Sequence, residues 1–239
     1  MTVDAPKTVG GLAFSTANSY ALSGSALTLA NGANPATVEV TAGGPTIANA
    51  LALQGGASVR TSGGTTLGVS GAVTGTGAFT SNAGGAGSGE VTLGDALSGF
   101  GGTFTTGGGV THLSSLAFAS TRPNALTLGY GTLHYTGTGE TLAGAHLNPG
   151  ASKASILTVD NDLTLRSMSV GTGGLIKNGA GDLVFKGNGS FELGNIQVDY
   201  NANNAQGITA TVTASGSMVR NSASDIPATR SFFSRRDAA

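Results

Sequence analysis

The chain has 239 residues, 41 of them glycine, no cysteine and a formal net charge of −1. That composition excludes disulfides, thiolate metal sites and cysteine nucleophiles, and it removes any electrostatic case for nucleic acid or an anionic membrane surface. Only 10% of residues are charged but 39% are apolar, and the apolar ones recur in short alternating groups that a disordered tract lacks, so the chain reads as folded and all-β.

The opening segment, MTVDAPKTVGG, has neither a basic region nor an apolar stretch, the two parts of a secretory signal. No apolar run approaches the roughly 20 residues of a membrane helix. An exported protein with this start would be a segment of a longer chain. Short strands are then predicted at 19–22, 26–30, 36–41, 48–53, 57–61, 65–70, 77–81, 90–93, 102–106 and 110–113. They continue at 125–128, 131–136, 156–159, 162–167, 182–185, 190–193, 196–200 and 208–213. Most alternate an apolar residue with Thr, Ser or another polar residue, the pattern of a strand with one face buried. Gly-Gly, Gly-Thr-Gly and Asn-Gly sequences between them supply turns. No helical period extends over ten residues.

Closely spaced short strands suit a sandwich, a barrel or a solenoid. The segments 70–113 and 168–198 share one grammar: strand, Gly-x-Gly turn, short apolar pair, glycine-rich turn, strand. Self-similarity at a spacing of tens of residues is how stacked repeats look. The apolar set is mainly Leu, Val and Ala, with no Trp and 5% aromatic residues, which suits a narrow solenoid interior better than the wider core of a sandwich. A solenoid is therefore expected, each apolar burst sheltering the one below.

Chemistry is sparse. Neither Gly-x-Gly-x-x-Gly nor a Walker-type loop occurs, so the glycines read as turn residues. His112 and His134 fall inside predicted strands, and neither they nor His146 have metal-ligand spacing; they read as strand-surface residues, with no metal or cofactor expected. Asp160 and Asp162, with Arg166 nearby, are the one close acidic pair; they read as a solvated turn or, alternatively, as part of a carbohydrate-cutting site. That alternative requires Asp160, Asp162, Asp182 and Glu140 to converge on one face. Calcium-roll repeats are absent, since Glu90 and Asp182 are each one position out of step and neither motif recurs. A sequon at Asn188 carries no weight. Threonines such as Thr209, Thr211 and Thr213 cluster locally without the steady register that an ice- or crystal-binding face needs.

The stretch 171–191 places Gly173, Gly174, Leu175, Lys177, Gly179, Gly181, Leu183 and Gly187 in the order of one known repeat, and 71–113 matches it at Gly75, Gly77, Gly89, Leu93, Gly94, Gly101, Gly102, Thr103 and Leu113, without the lysine. On these residues the chain resembles the passenger region of bacterial autotransporters, specifically the autotransporter-associated β-strand repeat. Segments 9–33 and 131–144 resemble the flanking strands of such units, and the similarity spans roughly residues 8–200. The resemblance implies a right-handed parallel β-helix displayed outside the cell, over residues 1–215, acting without catalysis as a stalk, adhesin or self-associating element that meets surface glycans or host molecules. Residues 216–239 lose the glycine grammar and carry Arg220, Arg230, Arg235 and Arg236 with the pair Phe232 and Phe233. They read as a linker, or as a capping or docking segment for self-association.

Overall fold

A computed structural model describes residues 1–83, 88–120, 122, 125–129, 131–149, 155–167, 174–181, 183–187, 195–198 and 210–214. Its logic is visible in one strand. In Ala36–Val40 the residues Ala36, Val38 and Val40 are buried, while Thr37 and Glu39 point outward. Three small apolar side chains cannot close a core by themselves. The strand therefore lies between Gly11–Phe14 of the preceding turn of chain and Ala57–Thr61 of the next, parallel to both.

The same rule repeats along the chain and produces a β-solenoid built from parallel sheets. One ten-stranded sheet, the front sheet, runs from Thr2–Val3 through Ala21–Gly24, Thr46–Ile47, Thr66–Val69, Glu90–Gly94, Val110–Leu113, Thr132–Tyr135, Ser155–Val159 and Gly174–Asn178 to Asn195–Val198. A second ten-stranded sheet, the back sheet, runs from Gly11–Phe14 through Ala36–Val40, Ala57–Thr61, Phe79–Ser81, Phe104–Thr106, Leu126–Leu128, Glu140–Pro149, Leu163–Ser167 and Leu183–Gly187 to Ala210–Ala214. The expected parallel β-helix is borne out. The sequence pattern places most of these strands within a residue or two. It misses Thr2–Val3, Lys7–Val9, Gly11–Phe14, Thr46–Ile47, Val73–Gly75, Glu140–Pro149 and Gly174–Asn178; four of these seven are runs of two or three residues, too short to show alternation. The strand expected at 190–193 and the segment 216–239, with Phe232, Phe233, Arg235 and Arg236, lie outside the described residues.

A third side changes along the axis. In the first four coils it is a short sheet of Lys7–Val9, Leu27–Leu29, Leu51–Leu53 and Val73–Gly75, extended by a single bridge from Gly75 to Phe100. The next two coils replace it with connectors, one of which holds the 3-10 turn Ala117–Ala119. Beyond Thr132–Tyr135 the front strand passes to the back strand through tight bends at 136–139 and 160–162. Phenylalanine fills the core where the third side changes. Going up the back sheet, one inward column reads Ala36, Ala57, Phe79, Phe104, Leu126. Phe79 and Phe104 meet edge-on at 5.4 Å, and Phe100 and Phe118 from the connectors close on them at 6.3 and 6.0 Å. These distances lie in the favourable range for aromatic pairs.

Polar side chains tie coil to coil at the corners. Asn49 Nδ2 donates to the Ser25 carbonyl at 2.6 Å, and Asn161 Nδ2 to the Gly137 carbonyl at 2.6 Å. Asn82, buried and in the left-handed region at φ 52°, donates to the carbonyls of Gly89 and Val110 at 3.2 and 3.0 Å and accepts from Thr61 Oγ1. The inward Thr111 of the front sheet meets Ser81 Oγ of the back sheet at 2.6 Å, a hydrogen bond across the interior. These buried donors and acceptors are thus answered from neighbouring coils, whereas Asn49 Oδ1 and the Tyr135 hydroxyl are buried without such a partner.

Candidate functional site

The outward face of the front sheet brings the sequence-predicted polar residues together. Parallel register sets Thr92, His112, His134 and Thr158 in one column on successive strands. The imidazole rings of His112 and His134 lie 5.0 Å apart, tilted by 52°. Each ring is held at Nε2 by a carboxylate from the far side: Glu90 Oε2 at 3.3 Å from His112, and Asp160 Oδ2 at 2.8 Å from His134. The histidine side chains are 22% and 25% exposed and the carboxylates 53% and 47%. The result is a surface row of four, Glu90–His112–His134–Asp160, running over three successive strands to the bend after Ser155–Val159. Both histidines are strand-surface residues as expected; their pairing is new.

An ionised carboxylate only accepts hydrogen bonds, so Nε2 of each ring carries the proton. In the neutral ring the lone pair is then on Nδ1. The row thus consists of two imidazoles, each oriented by its own carboxylate.

The other acidic residues are used elsewhere. Glu140 accepts from Ser115 Oγ at 2.5 Å and from the Leu116 amide at 2.7 Å, anchoring the connector that leads into Ala117–Ala119. Asp160 and Asp162 sit in the bend between Ser155–Val159 and Leu163–Ser167, and the Asp162 carbonyl accepts from the Glu140 amide at 3.3 Å. Of the two readings of this pair, the bend matches the turn. Asp182 and the side chains of Arg166 and His146 lie outside the described residues. Among the described residues no three His, Asp or Glu side chains converge on one point. Near Glu140, the buried Tyr135 hydroxyl has its pKa pushed above the ordinary tyrosine value, first by burial and then by the Glu140 charge; the Gly139 backbone offsets part of the shift.

Two features escaped the sequence reading. On the outward face of the back sheet, Thr37, Ser58, Thr80, Thr105 and Thr127 stand in register on five successive strands. This corrects the expectation that outward threonines lack a steady register: the coils differ in length, so a row that is regular in space is irregular in sequence. The second is Arg122, whose half-buried guanidinium donates to the carbonyls of Phe100, Gly101, Gly102 and Phe118. No signal short of the fold marks it, because those carbonyls belong to the preceding coil or to its own connector.

No family model matches the chain, and neither do any curated protein or any solved structure.

Proposed function

We propose that the chain is a non-catalytic, exported β-solenoid: a stalk or adhesive, self-associating segment of an autotransporter-like surface protein. The single observation that carries this reading is the axial stacking itself. Two parallel sheets continue through ten strands each around one apolar interior, the build of a rod that holds distal residues away from its anchor. The outer faces offer long rows of hydroxyl and polar groups suited to many weak contacts with glycans or with further copies of the chain. In support of a non-catalytic role, the carboxylates of Glu90, Glu140 and Asp160 are each engaged by a donor of the fold. The segment 216–239, with its Phe232–Phe233 pair and Arg235 and Arg236, is on this reading a docking or capping tail.

Three measurements test the reading. Antibody labelling and protease shaving of intact producing cells are expected to reach the chain; failure of both while lysed cells label would overturn the surface assignment. Incubation of the purified chain with a panel of acidic and neutral polysaccharides is expected to release no reducing ends. Turnover that disappears in Asp160→Asn or Glu140→Gln would overturn the non-catalytic assignment. Light scattering at rising concentration reads self-association, expected to weaken when residues 216–239 are removed.

A further inference from the structure

We propose that His112 and His134 form a binding site for one borderline divalent transition-metal ion of the Zn2+, Ni2+ or Cu2+ type, ligated through their Nδ1 atoms. The proposal does not rest on the surface-display reading. Imidazole nitrogen suits these ions, whereas Ca2+ and Mg2+ prefer oxygen.

Three observations carry it. First, register places the two rings on adjacent strands with their centres 5.0 Å apart. With metal–nitrogen bonds of about 2.0–2.1 Å, two imidazoles bound side by side to one ion have ring centres about 4.5–5.2 Å apart, so the pair is already spaced for a shared ion. Second, the Nε2 atoms are taken by Glu90 and Asp160 at 3.3 and 2.8 Å. That arrangement matches metal-bound histidine, in which the nitrogen away from the metal donates to a carboxylate; the carboxylate fixes the tautomer, orients the ring and raises the basicity of the ligating nitrogen. Here two such carboxylate–histidine pairs stand side by side. Third, the rings are about three-quarters covered yet lie on an outward face, so an ion reaches them from solvent while the rotamers stay restrained. Because no third His, Asp or Glu converges on the pair among the described residues, water completes the coordination. The bound ion is therefore exchangeable, and the fold does not depend on it.

Calorimetric titration of the untagged full chain with ZnCl2 and with NiCl2 at pH 7.5 tests the proposal. The expected result is one ion per chain, with affinity falling at least about tenfold in His112→Ala and equally in His134→Ala. Glu90→Gln and Asp160→Asn, which keep the ligands and weaken their orientation, are expected to lose about tenfold. CaCl2 gives no heat at this site. Circular dichroism in EDTA shows whether each variant keeps its fold, and His112→Asn serves in place of the alanine variant if that one unfolds. The absence of stoichiometric binding overturns the proposal. So does binding that survives both histidine substitutions, depends on only one of them, or follows His146→Ala instead.

Discussion

Replacing Arg122 with alanine is expected to destabilise the middle of the solenoid by about 2–4 kcal/mol. The side chain makes five hydrogen bonds to four carbonyls: Nε and Nη2 to Phe118 at 3.1 and 2.7 Å, Nη2 to Phe100 at 2.8 Å, and Nη1 to Gly102 at 2.8 Å and to Gly101. A hydrogen bond from a charged donor contributes about 1.5–3 kcal/mol net. Five do not add up, because the freed carbonyls nearest the surface regain water; the expected loss therefore corresponds to one or two such bonds. Lysine brings a point charge in place of a planar fork, so Arg122→Lys is expected to lose at least half as much. Urea unfolding followed by far-ultraviolet dichroism measures both. Solenoid stability is a sum over coils and their contacts, so the loss is also expected locally, as faster proteolytic cleavage in the connectors 95–103 and 114–120. A folded Arg122→Ala variant within 0.5 kcal/mol of the parent, with unchanged cleavage, would refute the view that this arginine holds the connectors to the core.

Three further outcomes follow from the same packing. Phe104→Ala removes a fully buried ring that contacts Phe79 and Phe118, and about 3–5 kcal/mol is expected to be lost in urea unfolding; Phe104→Leu, the residue found one strand further at Leu126, is expected to lose clearly less. Gly75 has φ +112° and a built Cβ would lie 2.2 Å from the Leu53 carbonyl oxygen, whereas Gly32 has φ +59° and open space around it. Gly75→Ala is therefore expected to lower the melting temperature well beyond Gly32→Ala, which carries only backbone strain of about 1 kcal/mol. The Tyr135 hydroxyl is buried without a hydrogen bond of good geometry, the Gly139 backbone only partly offsetting its burial, and its pKa is raised. A raised folded-state pKa favours the neutral phenol, so this contribution to stability is complete below the unfolded value near 10 and fades as pH rises through the folded value. Melting curves from pH 9 to 11 should fall more steeply for the parent than for Tyr135→Phe, which at pH 7 should be at least as stable; parallel curves would contradict that assignment.

The contrast between Ala57–Thr61 and Val73–Gly75 explains what a linear reading of this chain captures. Ala57–Thr61 has five residues, with Ala57, Val59 and Thr61 buried and Ser58 and Arg60 outward, enough alternation to mark both its ends. Val73–Gly75 has one buried residue, Val73, and owes its strand conformation to the ladder with Leu51–Leu53, which no local pattern contains. Residues 48–50 mislead in the opposite way: Asn49 is buried within an apolar-looking run because its side chain ties a corner to Ser25, and the strand starts only at Leu51.

The same distinction governs the candidate site. Residue type marks His112, Glu90 and Asp160 as capable of chemistry, but no spacing rule pairs His112 with a histidine on the next strand, because the spacing that matters is the length of one coil. That length varies along the chain: the His112–Glu90 contact spans 22 residues and the His134–Asp160 contact spans 26. Turn and connector lengths absorb the variation, and parallel register keeps each outward column straight. In a solenoid, then, the information that assembles a surface site resides in the corners as much as in the site residues. Lengthening a connector leaves each strand's own register intact while the chain still closes a coil, whereas adding one residue inside Thr132–Tyr135 would turn His134 inward and its buried neighbours Leu133 and Tyr135 outward.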